Sequence, residues 1–455
     1  MDQNPRLALS IAQRIDRLPM TKGMWTILML TGIGWLFDAM DQGMVSGVVA
    51  SINSAWSLSV SQLGWLSSIG FLSLIVGAAL SGMMADRFGR RTVIMWTLII
   101  FGVGSVLCGL AQNYPMLLIC RFITGFGLGG ELPAASTLVS EYSPVKVRGR
   151  NVVILESFWA WGWIASALVA YLAIPALGWR AAFFIGAVPA FFAAVLRFAV
   201  PESPRYLDAV GRFGEADALV AKLEKEAGIA YDGGRQDAAP TTEKVGTSPG
   251  DVGAASCRPD EKVTSDIGMW KGIGVLWTKE HRRATAVLWI IWFGINFGYY
   301  GFVLWMPSFF TREFSIEDSF RFTLIMSFAQ LPGYFLAGLL IERIGRRPVL
   351  TIFFAGTAFA AWLFGGTGVE GVGQVIACGC LLYFFALGAW GCVYSYTPEL
   401  YPTAIRGVGV GWAAAIGRVG AFIAPQLVPL LYNRLGEEAG FMGVFIVLTV
   451  VLLFV

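Results

Sequence analysis

One ten-residue pattern occurs twice in this chain, at positions more than half the chain length apart. The pattern is Gly-x-x-x-acid-Arg-x-Gly-Arg-Arg, and its copies at residues 82–91 and 338–347 are 256 positions apart. Trp35 and Trp292, each in the first apolar run of its half, repeat this spacing at 257 positions. Because independent features share one spacing, we predict a duplicated unit that is joined in the middle of the chain.

Apolar segments fill most of the sequence, which is 56% hydrophobic and 14% charged over 455 residues. This composition is typical of a polytopic membrane protein, and several runs reach the ~20 residues that cross a bilayer. The runs are 25–51, 64–84, 92–111, 115–140, 151–174, 181–200, 285–309, 321–341, 348–366, 373–395, 405–432 and 439–455. We therefore predict an all-α polytopic membrane protein, with 12 transmembrane helices in two six-helix pseudo-repeat bundles. Since the last run stops without a polar flank, we expect the chain to continue past Val455.

The polar stretch between the sixth and seventh runs sets the domain boundaries. We assign residues 1–203 to the first bundle, 204–279 to a cytoplasmic linker and 280–455 to the second bundle. Apolar residues at helical spacing among charges predict a surface helix over 204–227. Residues 228–265 are rich in Gly, Ala, Asp and Thr, which predicts a flexible segment.

Basic residues are concentrated in the N-terminal segment and in alternate connections between the apolar runs. The opposite connections, 52–63, 112–114 and 367–372, contain no Lys or Arg. By the positive-inside rule, both termini and the repeated motifs are predicted to be cytoplasmic. We interpret the motif charges as a latch for one conformation, made of Asp86, Arg90, Glu141, Arg148, Glu342, Arg346, Glu399 and Arg406.

Several classes of function lack support in the sequence. The chain has one histidine and six cysteines, and Cys378-x-Cys380 lacks partners for a metal site, so we predict no metal and no cofactor. A net charge of +3 without a strongly basic domain argues against nucleic-acid binding. Gly125-x-Gly127-x-x-Gly130 matches a dinucleotide fingerprint, but no strand precedes it, so it predicts close helix packing instead. The sequence contains no nucleophile–base pair that would indicate an enzyme. We also expect the protein to be a monomer.

Ionisable residues inside the apolar runs are costly and are usually functional. From the rise of 1.5 Å per residue, Asp41 lies ~15 Å and Arg121 ~9 Å from the outer ends of their runs, so they can meet. Such a pair can couple substrate movement to a proton, or it can be a permanent salt bridge between two helices. We assign Asp41, Arg121, Asp38 and Glu156 to proton coupling, and buried hydrogen bonding is the alternative for Glu156.

Arg418 lies ~18 Å inside the eleventh run with no acid in that run, and a guanidinium there can hold a carboxylate bidentately. The alternative is that Arg418 pairs with Asp38 or Glu156. Aromatic residues at similar depth can enclose a flat ring with one anionic end. The predicted substrate-binding residues are Arg418, Tyr299, Tyr300, Trp159, Trp390 and Glu131, although Glu131 can also be a protonation site or a buried hydrogen-bonding partner.

The repeated motif, together with Arg148-Gly149-Arg150 and Pro201-Glu-Ser-Pro-Arg, resembles the major facilitator superfamily over essentially the whole chain. Within that superfamily, five segments are similar to the bacterial niacin (nicotinic acid) transporter family. They are residues 34–41, 127–133, 155–160, 329–335 and 396–406. The synaptic vesicle glycoprotein and organic anion/cation transporter families resemble the chain more distantly.

The resemblance implies roles for individual positions. Asp41 and Arg121 fall where proton-coupled sugar porters carry a coupling pair. Tyr299-Tyr300-Gly301 resembles a motif of the organic anion transporters whose tyrosines line the binding cavity, and Arg418 falls where those carriers have a substrate-binding arginine. Trp159 and Trp390 match cavity aromatics.

We therefore expect a secondary carrier in a bacterial inner membrane that imports nicotinate, with a proton, by alternating access. A carrier of another aromatic carboxylate such as benzoate is the alternative, and a non-transporting membrane receptor or scaffold is the reading from a different class. The expected partners are a small aromatic carboxylate, a proton and the lipid bilayer.

Overall fold

The structure is a computed structural model that describes residues 10–188, 192, 199–229, 269–311, 313–366, 371–401 and 405–454. The helices of the first half are α1 (Ile11–Asp16), α2 (Lys22–Trp56), α3 (Val60–Phe88), α4 (Arg90–Gly109), α5 (Tyr114–Tyr142), α6 (Val145–Leu172), α7 (Ile174–Leu177) and α8 (Trp179–Ile185). The central segment contains α9 (Pro204–Ala209), α10 (Phe213–Ala227) and α11 (Met269–Leu276).

The second half has α12 (Arg282–Val303), α13 (Met306–Phe310), α14 (Ile316–Phe328), α15 (Gln330–Ile344), α16 (Arg346–Gly366), α17 (Val372–Tyr396), α18 (Arg406–Leu435) and α19 (Glu437–Phe454). A 3₁₀ turn, Thr397–Leu400, follows α17. The described part of the chain contains no strand, which confirms the all-α prediction.

The prediction of membrane-spanning helices is confirmed for most of the chain. Within the described residues, nine helical segments have the length and hydropathy to cross a bilayer, and Tyr114–Gly129 and Met442–Leu453 are shorter apolar helices. Large apolar side chains such as Trp96, Ile119 and Phe335 are exposed on the outer surface, as lipid contact requires. Residues 189–191 and 193–198 of the sixth predicted run lie outside the described residues, so the count of twelve stays a prediction.

Each half packs into its own bundle. In the first bundle α2 packs against α6, and α5 packs against α3 and α4; in the second bundle α12 packs against α18, and α17 packs against α15 and α16. Glycines allow the closest approaches: a Cβ on Gly127 would lie 2.6 Å from the Phe101 nitrogen on α4, and one on Gly125 would lie 2.5 Å from the Gly70 oxygen on α3. The predicted packing role of these glycines is confirmed.

The two bundles contact each other along their shared boundary and also at one end. We call the end that carries Arg91, Arg148 and Arg346 the basic end, and the opposite end the far end. At the far end Gln426 Nε2 on α18 donates to Ser68 Oγ on α3 at 3.2 Å. The Trp65 and Phe422 rings of the same helices are 6.0 Å apart, and α14 packs against α6. The described conformation is therefore closed at the far end.

A polar layer covers the basic end of the first bundle. Arg14 on α1 forms ion pairs with Asp217 at 2.7 Å and with Glu224 at 2.8 Å on α10, and Arg17 pairs with Glu224 at 2.5 Å. Burial acts to raise the pKa of Glu224, but hydrogen bonds from Arg14 and Arg17 outweigh it, so the pKa lies below its ordinary value. These contacts fix the start of the linker against the N-terminal segment.

The central segment differs from the expected single helix over 204–227. It forms two helices, α9 and α10, because Gly211 adopts a left-handed conformation with φ of 82° and ends the first. Ala216, Val220 and Leu223 of α10 are buried, so its apolar face packs inward. Most of the predicted flexible segment, 230–265, lies outside the described residues.

Candidate functional site

The structure brings Asp41 of α2 and Arg121 of α5 together inside the first bundle. Arg121 Nη1 donates to Asp41 Oδ2 at 2.9 Å and to Oδ1 at 3.1 Å. Both side chains are almost fully buried, at 0% and 3% exposure, and the guanidinium lies 5.8 Å from the Phe183 ring centroid. The pair therefore meets as the depth argument predicted, in a place where each charge depends on the other.

A small cavity lies beside this pair. It measures about 10 Å³ and is lined by Gln42 and Arg121 together with apolar residues that include Phe71 and Leu304. That volume holds about one water molecule. Leu304 belongs to the second half, so the cavity lies where the two bundles meet.

Arg418 lies half-buried on α18, and it forms no hydrogen bond or ion pair with a side chain in the described part of the chain. Asp38, Tyr300 and Tyr394 are close enough to interact with it electrostatically. The alternative of a direct ion pair with Asp38 or Glu156 is therefore not what the structure shows. A guanidinium without a direct partner is chemically able to accept a carboxylate in two parallel hydrogen bonds.

Close packing of α18 on α12 holds Arg418 in this position. A Cβ on Gly420 would lie 2.7 Å from the Phe293 oxygen, and one on Gly417 would overlap the Asn296 side chain. Only glycine at these positions permits the two helices to approach so closely. Arg418 therefore stands next to the helix that carries Tyr299 and Tyr300.

Aromatic side chains from both bundles form a continuous group next to Arg418. We call this group the aromatic cluster; it consists of Trp163, Tyr299, Tyr300, Trp390 and Tyr394. Ring centroids are 5.6 Å apart for Trp163 and Tyr299, 5.2 Å for Tyr299 and Tyr300, and 6.2 Å for Tyr299 and Trp390. Trp390 stacks on Tyr394 at 5.6 Å. The cluster spans the boundary between the bundles, since Trp163 belongs to the first and the others to the second.

Trp159 and Glu156 lie one helical turn apart on α6 at the edge of the cluster. The Trp159 and Trp35 ring centroids are 4.7 Å apart, and the Trp159 side chain is a neighbour of Tyr299. Glu156 is 5% exposed, has the Trp35 indole as its polar neighbour, and acts electrostatically on Tyr334 and Tyr394. The predicted aromatic residues and Glu156 are thus brought to one region.

The remaining predicted acids are placed differently. Asp38 is buried on α2 one turn before Asp41, and it interacts electrostatically with Arg418. Glu131 lies on α5, ten residues after Arg121, and its side chain is outside what the structure describes. The grouping of Glu131 with the substrate residues stays a prediction.

Two glutamines at the site were missed by the sequence analysis. Tyr300 Oη donates to Gln42 Oε1 across the bundle boundary at 3.3 Å, and Tyr299 Oη donates to Gln330 Oε1 at 3.3 Å. Both glutamines are buried, and Gln330 has 0% exposure. In the sequence each glutamine is an uncharged amide inside an apolar run, and a search for ionisable groups does not detect it.

Part of the predicted latch lies within the described residues. Arg346 pairs with Glu399 at 2.9 Å on the exposed basic end of the second bundle. In the first bundle Arg148 pairs with Asp16 at 3.3 Å, and Glu141 interacts electrostatically with Arg205. The side chains of Asp86, Arg90, Glu342 and Arg406 are outside the description. Among the described residues no group of His, Cys, Asp and Glu could hold a metal ion.

Duplicated helix bundles, charges buried at their boundary and a lipid-facing apolar surface define a multi-pass membrane transporter of the major facilitator superfamily. The model of the sugar (and other) transporter family matches residues 33–455, so the chain belongs to that family. It is a transporter and not an enzyme.

Curated relatives cover nearly the whole chain. The niacin transporter NiaP of Acinetobacter baylyi is 42% identical, covering 98% of this chain and 95% of the relative. The putative niacin/nicotinamide transporter NiaP of Bacillus subtilis is 40% identical, covering 90% and 88%. A synaptic vesicle 2-related protein of Xenopus laevis is 28% identical, covering 92% and 75%. The resemblance to the niacin transporter family is confirmed, and the vesicle protein is a more distant relative.

Solved structures share the fold. The partially occluded inward-open xylose transporter XylE of E. coli superposes with a TM-score of 0.70 at 19% identity, over 95% of this chain and 98% of that one. A bacterial homologue of the human lysosomal transporter Spinster gives a TM-score of 0.68 at 17% identity, over 96% of both chains. These similarities establish the major facilitator fold.

Proposed function

We propose that this protein carries nicotinate across a bacterial plasma membrane, and that Arg418 binds the nicotinate carboxylate. Relatives at 40–42% identity are named as niacin transporters. The observation that carries the binding site is the half-buried guanidinium of Arg418, which has no direct partner among described side chains and faces an aromatic cluster. A carboxylate supplies the missing partner, and the rings supply a surface for a flat heterocycle.

Binding separates rings that contact each other in the described conformation. The Tyr299 ring centroid lies 5.2 Å from that of Tyr300 and 6.2 Å from that of Trp390, and Trp163 contributes from the opposite bundle. A substrate ring that enters between them replaces contacts across the bundle boundary with contacts to itself. Occupancy of the site is thereby coupled to the relative position of the bundles, as alternating access requires.

Proton coupling is assigned to Asp41 and Arg121, with Asp38 and Glu156 as neighbouring acids. Protonation of Asp41 would remove the charge that Arg121 now pairs with at 2.9 Å, and this would release α2 from α5. Asp38, one turn away on α2, interacts electrostatically with Arg418. Movement of α2 would therefore change the field at the carboxylate site.

The basic end is assigned to the cytoplasm by the positive-inside rule, so the described conformation is closed on the outside. On this assignment the Arg346–Glu399 pair lies at the cytoplasmic end, with the other predicted latch residues of the repeated motifs. An inward gradient of protons would then drive import. We propose that the protein acts as a monomer.

Uptake into proteoliposomes tests the function. Labelled nicotinate should accumulate when the lumen is alkaline, and excess nicotinate should compete more strongly than benzoate. Accumulation that depends on the gradient excludes the receptor or scaffold reading, whereas benzoate that competes as well as nicotinate would favour the general aromatic-acid carrier. Arg418→Ala should abolish uptake, and Arg434→Ala, an exposed arginine at the end of the same helix, should not. Normal uptake by Arg418→Ala would contradict the binding assignment.

A further inference from the structure

We propose that Gln330 recognises the ring nitrogen of the substrate and so distinguishes a pyridine carboxylate from a benzoate. This inference rests on the proposed transport of nicotinate and adds the group that selects the heterocycle. Gln330 is fully buried and begins α15, directly after Ala329 interrupts the eighth predicted apolar run. Its Nε2 has no hydrogen-bond acceptor among the described residues. A buried amide donor without an acceptor is uncommon, and it is suited to an acceptor on a ligand.

The orientation of the amide follows from its neighbours. The amide oxygen of Gln330 can only accept, so its hydrogen bond with the Tyr299 hydroxyl uses the Tyr299 proton. The Tyr299 proton is then directed to Gln330 Oε1, 3.3 Å away. Because Oε1 accepts this bond, Nε2 is the atom of the amide that remains available. Tyr299 and Gln330 thus form a short hydrogen-bonded chain that ends in an N–H without an acceptor among the described residues.

Arg418 and Gln330 each adjoin the aromatic cluster through one of its tyrosines. The ring of Tyr299, whose hydroxyl donates to Gln330, has its centroid 5.2 Å from that of Tyr300 and 6.2 Å from that of Trp390. Tyr300 in turn interacts electrostatically with Arg418. The aromatic cluster therefore separates a cation from an amide donor. An aromatic acid with a basic ring nitrogen offers a carboxylate to the first and a lone pair to the second.

Benzoate has a C–H group where nicotinate has the ring nitrogen, so it leaves Nε2 without an acceptor. Loss of one such hydrogen bond in a buried site corresponds to about a 10-fold preference for the pyridine acid. The indoles of Trp163 and Trp390 also lack acceptors among described residues and are the competing donors. The test must therefore separate the amide from the indoles.

The measured quantity is the ratio of benzoate to nicotinate concentrations that half-inhibit nicotinate uptake in proteoliposomes. Gln330→Leu keeps the approximate volume and removes the donor, so the ratio should fall from about 10 to about 1. Gln426→Leu, a glutamine of the far-end contact, is the matched control and should keep the ratio. Trp163→Phe and Trp390→Phe should also keep it. If Gln330→Leu does not transport, the same ratio is measured from ligand-induced thermal shifts of the purified variant.

An unchanged ratio in Gln330→Leu would overturn the inference, as would a ratio that falls only in a tryptophan variant. A wild-type ratio near 1, with nicotinate uptake intact, would overturn the inference and leave the carboxylate transporter standing. Absence of nicotinate uptake and binding by the wild-type protein would instead refute the proposed function.

Discussion

Replacement of Asp41 by asparagine tests the charge of the Asp41–Arg121 pair while the size of the side chain at position 41 is kept. Asp41→Asn retains the size of the side chain but leaves Arg121, which is 3% exposed, without its counter-charge. Breaking a buried ion pair in this way costs about 3–5 kcal/mol of stability. We expect a value near the lower end, because the amide oxygen can still accept from Arg121, and because the adjacent cavity of about 10 Å³ has room for one water.

The transport consequence differs from the stability consequence. Asparagine cannot gain or lose a proton, so Asp41→Asn should exchange nicotinate across proteoliposomes without accumulating it under a pH gradient. Glu317→Gln, an exposed acid at the start of α14, is the control and should accumulate normally. The double variant Asp41→Asn/Arg121→Gln should recover stability, because the pair no longer leaves an uncompensated charge buried, but it should not recover accumulation.

Two outcomes would refute this reasoning. Uphill accumulation by Asp41→Asn at the wild-type level would show that another group carries the proton. A double variant less stable than Asp41→Asn would show that Arg121 does not depend on Asp41 for its charge balance.

The other predictions concern the bundle packing and the polar layer at the basic end. Gly129→Ala should lower the melting temperature in detergent or prevent folding, because the new Cβ would overlap the Leu74 carbonyl, whereas Gly149→Ala, with nothing within 4 Å, should be neutral or slightly stabilising. Because the folded-state pKa of Glu224 is lowered, its contribution to docking is present at neutral pH and is lost as pH falls through that lowered value. Limited proteolysis of the N-terminal segment should therefore accelerate at acidic pH. The Glu224→Gln variant lacks the buried ion pair with Arg14, whose loss costs about 3 kcal/mol of docking free energy, so it should be cleaved quickly already at pH ~7. Equal cleavage of Glu224→Gln and wild-type protein at neutral pH would contradict this assignment.

The helical spans and the duplication followed directly from the sequence. Hydropathy over ~20 residues is a strong signal because the bilayer excludes unsatisfied backbone groups. The meeting of Asp41 with Arg121 followed from depth along two helices, since a rise of 1.5 Å per residue converts sequence position into height. The break at Gly211 was not foreseen, because a single glycine inside an amphipathic pattern does not reveal its φ angle.

The residues that form the site could be predicted from the sequence only in part. The charge of Arg418 and the neighbouring aromatic residues marked a binding region, and the structure shows which rings touch. Gln42 and Gln330 were missed because an uncharged amide in an apolar run is indistinguishable from a helix-packing residue until its partners are known. Which atom of Gln330 remains without a partner depends on Tyr299, from another helix, and this is set by tertiary structure alone.

Calorimetric titration of nicotinate and nicotinamide tests the central claim most directly, because the two ligands share a ring and differ in the carboxylate. A charge-assisted bidentate contact with Arg418 corresponds to about 3 kcal/mol, so the wild-type protein should bind nicotinate about 100-fold more tightly. In Arg418→Gln the two affinities should become similar, while Arg434→Gln should keep the wild-type difference. An Arg418→Gln protein that still prefers nicotinate by 100-fold would show that the carboxylate is bound elsewhere.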